Sequence, residues 1–173
     1  MYYGCINHNQ KRQGLGIYQI KVGDLYFGIW SDNVLIDGHY LFKNGESFQG
    51  NVRGGKQGQG KYRYANGNIY EGEWKDDLKN GKGTMLYPSG AKYHGDWVKG
   101  KKHGVGVYEY ENGLKFEGGF ALGKKYGDGC FLFPNGTKVE GFWENNRLEG
   151  RARIFYHNGD YYEGNVHLSE KNG

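Results

Sequence analysis

Gly72, Gly95, Gly118, Gly141 and Gly164 follow one another at a constant interval of 23 residues. An interval of this length is the mark of a repeat array, in which one small supersecondary unit is copied along the chain and each copy buries its apolar side only against its neighbours. That constraint narrows the fold before any other property is considered. It also directs the search for function towards an extended surface and away from a single pocket.

The unit is clearest at residues 70–92, YEGEWKDDLKNGKGTMLYPSGAK. Copies begin at Tyr2, Tyr26, Phe48, Tyr70, Tyr93, Phe116, Val139 and Tyr162, so residues 2–173 read as one array of seven full units and a partial eighth. Each copy carries a glycine two residues after its start, a Gly-x-Gly pair such as Gly81/Gly83 or Gly104/Gly106, and a last glycine such as Gly90 or Gly113. Ile36 and Ala152 occupy glycine positions without disturbing the period.

Between the glycines, polar and aromatic residues alternate. In Tyr70-Glu71-Gly72-Glu73-Trp74 the ring-bearing residues and the glycine share one face and the glutamates the other, which is strand periodicity; no stretch sustains a helical period. Each copy therefore reads as two short strands joined by a longer polar loop (Lys75–Asn80). Tight Asn-Gly or Ser-Gly turns such as Pro88-Ser89-Gly90 and Glu111-Asn112-Gly113 lead to the next copy. Short connections demand antiparallel neighbours. If the first glycine of each copy pairs with the second glycine of Gly-x-Gly, Trp74 should cover Gly60 and Gly81, and Trp97 should cover Gly83 and Gly104, rescuing glycine in the sheet.

With 33 Gly, 16 Tyr, 9 Phe and 4 Trp but only 36% hydrophobic residues, the chain lacks the aliphatic side chains of a two-layer core. The fold expected is all-β: an elongated, twisted, single-layer antiparallel β-meander of tandem hairpins with no second layer. No apolar run reaches the length of a membrane span. Cys5 and Cys130 lie too far apart in a linear array to bond, and two unpaired cysteines without a signal peptide point to a reducing, cytoplasmic compartment. The histidines (His8, His39, His94, His103, His157, His167) are scattered, so neither metal nor other cofactor is expected. No nucleophile elbow or triad is visible, and Gly81–Gly83 is a repeat feature and not a phosphate loop, because no helix follows it.

The pattern Tyr-x-Gly-x-Trp, a polar loop, Gly-x-Gly, an aromatic pair and a turn glycine resembles the MORN repeat. The resemblance covers the chain, closest in copies four to six and weakest in the first two. It implies a non-enzymatic scaffold of the kind found in cytoskeletal and ciliary assemblies, flagella and axonemes included, at membrane junctions, or beside catalytic domains. The partial eighth copy keeps open an array that continues, an edge completed by a partner, or an accessory region of a larger enzyme.

Three surfaces are candidates for partner binding. The aromatic face (Trp30, Tyr70, Trp74, Tyr87, Tyr93, Trp97, Tyr108, Tyr110, Phe120, Trp143) would stack on itself and take a partner's helix or strand on its remaining open stripe. On the opposite face, apolar residues stand where polar ones are expected: Tyr3, Ile17, Phe27, Ile29 and Leu41 near one end, and Cys130, Leu132, Phe142 and Phe155 near the other. These patches would be capped locally or would contact another protein or a second copy of the chain. The loop edge carries Lys99, Lys101, Lys102, Lys124 and Lys125, either a solvated rim or a strip for acidic proteins or anionic lipid headgroups. The other edge is mixed (Lys21, Asp24, Lys43, Glu46, Glu111, Asp160). Nucleic acid is not expected, because the basic edge has no interleaved aromatics.

Overall fold

The computed structural model of the chain describes residues 1–20 and 23–165. Lys21, His167 and the end of the partial eighth copy lie outside them. Among the described residues every regular element is a strand: β1 (Tyr2–Ile6), β2 (Arg12–Gln19), β3 (Leu25–Ser31), β4 (Val34–Leu41), β5 (Ser47–Asn51), β6 (Gln57–Arg63), β7 (Ile69–Lys75), β8 (Leu78–Leu86), β9 (Lys92–Val98), β10 (Lys101–Glu109), β11 (Lys115–Ala121), β12 (Lys124–Leu132), β13 (Lys138–Glu144), β14 (Arg147–Phe155) and β15 (Tyr161–Asn165). They form one open antiparallel sheet in chain order, as the alternation predicts. The chain divides into two compact units, Met1–Pro88 and Ser89–Gly173.

The register within each unit is set by glycine. In the first unit Gly60 pairs with Gly72 and Gly72 with Gly83. In the second, Gly95 pairs with Gly106, Gly106 with Gly118, and Gly118 with Gly129. The reason lies in the first residue of each copy. Tyr70 and Tyr93 are fully buried, and their hydroxyls donate to the carbonyls of Glu73 (2.9 Å) and Asp96 (3.0 Å) three residues on. Each ring is thereby laid back along its own strand, over the glycine two residues later and over that glycine's partner. A Cβ on Gly83 would lie 2.3 Å from the Tyr70 oxygen. Phe48 and Phe116 cover Gly60 and Gly129 in the same way.

The ring lying closest over the glycine pair is therefore the tyrosine or phenylalanine opening the copy. Of the kinds of glycine expected under tryptophan, Gly129 does have one beside that ring (Trp143 would be 3.1 Å from a Cβ there), whereas Gly81 and Gly104 lie against Glu73 and Asp96. The tryptophan stands on edge against that ring: Trp74 meets Tyr70 at 5.1 Å and 90°. Its indole N–H donates across the sheet to the Gly60 carbonyl at 3.1 Å. Trp30 does the same to Gly16 at 3.0 Å.

The two kinds of connection are also reversed in length, except in the first and third copies, where the connection after the first strand keeps five residues (7–11 and 52–56). The segment read as a long loop, Lys75–Asn80, is a two-residue turn at Asp76 and Asp77 with φ of 49° and 66°, and β8 begins at Leu78. Asp32-Asn33, Lys99-Gly100, Leu122-Gly123 and Asn145-Asn146 share this doubly positive φ, the geometry that matches strand twist in two-residue hairpins. The turns read as tight are five-residue connections. In Tyr110–Leu114 the Tyr110 N–H donates to the Leu114 carbonyl at 2.8 Å and Gly113 N–H to the Tyr110 carbonyl at 3.0 Å.

A bulge follows each two-residue turn. The first glycine of Gly-x-Gly takes a positive φ, 69° at Gly81 and 58° at Gly104, and the register shifts beside it. The freed backbone donor is met by an acid from the preceding strand. Lys82 N–H donates to Glu73 at 2.8 Å, and Val105 N–H to Asp96 at 2.9 Å. Glu73 and Asp96, the acids before Trp74 and Trp97, thus have a structural duty at the bulge that their surface-like sequence positions conceal.

Candidate functional site

Among the described residues the aromatic face is an organised feature repeated in both units, and it is built in columns. The opening rings (Phe48 and Tyr70; Tyr93 and Phe116) and the indoles (Trp30 and Trp74; Trp97 and Trp143) are buried, as is Phe120. Of the rings named from sequence, only Tyr87, Tyr108 and Tyr110 are half-exposed. Tyr70 and Tyr93 are closed to any partner in this conformation, because they are the packing of the face and not its surface.

What remains accessible is a further column at the end of alternate strands. In the first unit Phe42 and Tyr64 are half-exposed, with Tyr62 beside them at 6.4 and 4.5 Å between ring centroids. In the second unit Tyr110 is half-exposed, while Phe133 is 40% and Tyr156 43% exposed. Burial raises the pKa of Tyr64 and Tyr108 above the ordinary phenol value, so these hydroxyls stay neutral donors at physiological pH.

A column of cations runs over the same face. Arg12, Lys56, Lys79, Lys102 and Lys125 each stand two residues before the first glycine of their Gly-x-Gly pair. Lys56 lies 5.4–5.8 Å from the rings of Phe48, Tyr62 and Trp74. Lys102 lies 4.4 Å from Tyr108 and 5.2 Å from Tyr93. Lys125 is placed among Tyr110, Phe116, Phe131 and Trp143 at 4.7–5.7 Å. Such distances over ring faces are cation–π geometry. Burial lowers the pKa of Lys79.

The expected basic edge is corrected accordingly. Because the turn is only two residues long, Lys102 and Lys125 already belong to strands β10 and β12, and alternation carries them onto the aromatic face. Lys125 is 5% exposed. Lys99, Lys101 and Lys124 are what the edge keeps exposed.

The opposite face differs between its two ends. In the first unit Tyr3 pairs with Ile17 and Ile17 with Phe27, while Leu15 pairs with Ile29 and Leu25 with Leu41. These residues form a continuous apolar surface, and its most exposed member, Leu15, was not singled out by sequence. In the second unit the patch is broken by charge. Cys130 pairs with Glu117 and Glu140, Leu132 with Lys115 and Lys138, and Phe142 with Asp128 and Glu149. Phe155 stands between Lys138 and Tyr161. Tyr126 packs edge-on against Phe142 at 6.0 Å. Phe142 is 44% exposed, so Phe142→Lys is expected to change unfolding free energy by less than about 1 kcal/mol, as read by urea denaturation; a larger loss would place that ring in the core.

Both cysteines are free, and burial pushes the Cys130 thiol above its ordinary pKa, against a role as nucleophile. Among the described residues no group of three or more His, Cys, Asp and Glu is placed to hold a metal ion.

A single sheet whose glycine pairs are roofed by rings, with the same side-chain columns presented once per hairpin, defines a class of tandem-hairpin arrays. The MORN-repeat model matches residues 48–69, 70–92, 93–115, 116–138 and 140–161, more than half of the chain, and the chain belongs to the MORN-repeat family. No curated protein matches it significantly. Among solved structures it is similar to the SAS-4 TCP domain of Drosophila melanogaster in complex with a proline-rich motif of Ana2, at 16% identity over 94% of this chain and 89% of that one, with a TM-score of 0.60. The TCP10c domain of Drosophila melanogaster Sas-4 matches at 16% identity over 95% and 98%, with a TM-score of 0.56. At this identity the likeness is one of fold.

Proposed function

We propose that this chain is a non-catalytic scaffold that binds protein partners through its aromatic face in a cytoskeletal assembly, cilia and flagella being the settings that MORN membership suggests. The observation that carries the reading is the column of half-exposed rings, Tyr110, Phe133 and Tyr156 in the second unit, standing on a sheet that the described residues leave without a covering layer. Aromatic side chains left open in register are the common currency of protein interfaces. The SAS-4 TCP domain, which is similar in fold, is in complex with a proline-rich motif of Ana2, and a protein partner for this chain is in keeping with that.

The lipid alternative has less behind it, because Lys102 and Lys125 are drawn away from the edge that would face a membrane. Affinity capture from native extract tests the two together. Proteins of a cytoskeletal assembly should be retained by the native chain and by a Lys99→Glu, Lys101→Glu, Lys124→Glu variant, and lost with Phe133→Ser plus Tyr156→Ser. Retention of anionic vesicles alone, abolished by the lysine variant, would overturn the proposal.

A further inference from the structure

We infer that the aromatic face of the second unit is a track for an acidic, proline-rich segment of a partner in the polyproline II conformation, read at every third residue. This rests on the protein-binding reading above and names its ligand. The argument is one of pitch. Tyr110, Phe133 and Tyr156 follow β10, β12 and β14 directly, so successive rings are separated by two strands. Neighbouring strands lie about 4.8 Å apart, which spaces the rings by about 9.6 Å across the sheet.

Three polypeptide conformations can be compared with that spacing. A polyproline II helix has three residues per turn and advances about 9.3 Å per turn, so it returns the same side of the chain to each ring. The accumulated error over two intervals is about 0.6 Å. An extended β-strand covers a similar distance in three residues, but its side chains alternate, so every third residue faces the other way. An α-helix comes round to one face after seven residues, about 10.5 Å, and is out of step by about 1.8 Å over the same two intervals. The expected helix or strand is thus replaced by a third occupant. Proline fits twice, since it is the residue that presets this conformation and its ring packs on aromatic faces.

Charge fixes the rest of the sequence. Lys102 and Lys125 stand on this face, within 4.4 Å of Tyr108 and 5.5 Å of Tyr110. With Glu111 and Asp160 exposed on the turns beside Tyr110 and Tyr156, the positive potential of these lysines is centred over the strand side of the rings and not over the turns. A segment carrying a carboxylate in each turn is complementary to it, and a basic segment is repelled.

The test is fluorescence anisotropy on the full chain with twelve-residue peptides: (Pro-Pro-Glu)4, the charge-reversed (Pro-Pro-Lys)4, and a block peptide of eight prolines followed by four glutamates. The periodic acidic peptide should bind at least about tenfold more tightly than the basic one and more tightly than the block peptide. Phe133→Ser and Tyr156→Ser, at exposed positions, should each weaken it by about tenfold with the circular dichroism spectrum unchanged. Lys102→Gln should weaken it and lower its salt dependence. Equal binding of all three peptides, no binding of any, or indifference to Phe133 and Tyr156 would overturn the inference. If in that case native partners were still lost with the ring variants, the scaffold reading would stand and only its ligand would be wrong.

Discussion

Gly106→Ala, which adds a single methyl group, is expected to lower unfolding free energy by about 3 kcal/mol. A Cβ at Gly106 would lie 2.6 Å from the Tyr93 hydroxyl oxygen and 2.7 Å from two ring carbons. The ring cannot swing aside, because its hydroxyl is held by the Asp96 carbonyl and its face is closed by Trp97 at 5.2 Å and Phe120 at 5.0 Å. The added methyl must expel a fully buried tyrosine or displace the backbone. The chain itself contains the compensated version of this change. Its seventh copy opens with Val139 instead of an aromatic residue, and there the equivalent glycine position is Ala152, buried opposite Gly141. Tyr93→Val in the Gly106→Ala background should therefore be less damaging than the two single losses added together, by at least about 1 kcal/mol. Urea denaturation of the four proteins measures the coupling. Additive losses would show that the ring does not explain the glycine.

That pairing of a missing ring with a missing glycine also marks how far sequence alone could reach. The 23-residue interval and the alternation around Gly72 and Gly95 were enough for the strand order, the antiparallel pairing and the glycine register. Those depend only on backbone periodicity. Which ring lies closest over the glycines was not legible, because alternation places Tyr70 and Trp74 on the same face and cannot tell which one lies down. The hydroxyl-to-carbonyl bond of Tyr70 decides that, and it is a local three-dimensional fact. The turns were reversed for a related reason. Polar, lysine-rich residues such as Lys75, Asp76, Asp77 and Lys79 look like a loop, whereas positive φ at two successive non-glycine residues leaves no such trace in composition. The signal for the cation column was nevertheless present: Lys56, Lys79, Lys102 and Lys125 recur at the same interval as the glycines. A solvated rim has no reason to keep so strict a period.

Lys125 is the most buried member of that column, and its substitutions should separate charge from packing. Lys125→Glu is expected to lose more than about 4 kcal/mol, because a carboxylate would be buried against the negative faces of Phe116, Phe131 and Trp143. Lys125→Leu is expected to stay within about 1 kcal/mol of the native chain. Cation–π attraction of about 1–2 kcal/mol is given up, but an ammonium no longer has to be taken out of water, and the stem's apolar contacts are kept. The chain again supplies the precedent. Leu148 occupies the equivalent place in the seventh copy at 1% exposure, and Leu35 is buried there in the second. Thermal and urea unfolding of both variants gives the answer. If the leucine variant falls as far as the glutamate variant, the ammonium itself holds the rings together. If the glutamate variant is as stable as the native chain, the side chain leaves the face for solvent, and the undivided basic edge returns. The leucine variant has a second use. It should keep the fold and remove one positive charge from the aromatic track, so its affinity for (Pro-Pro-Glu)4 should fall while the ring contacts remain, which isolates the electrostatic part of recognition.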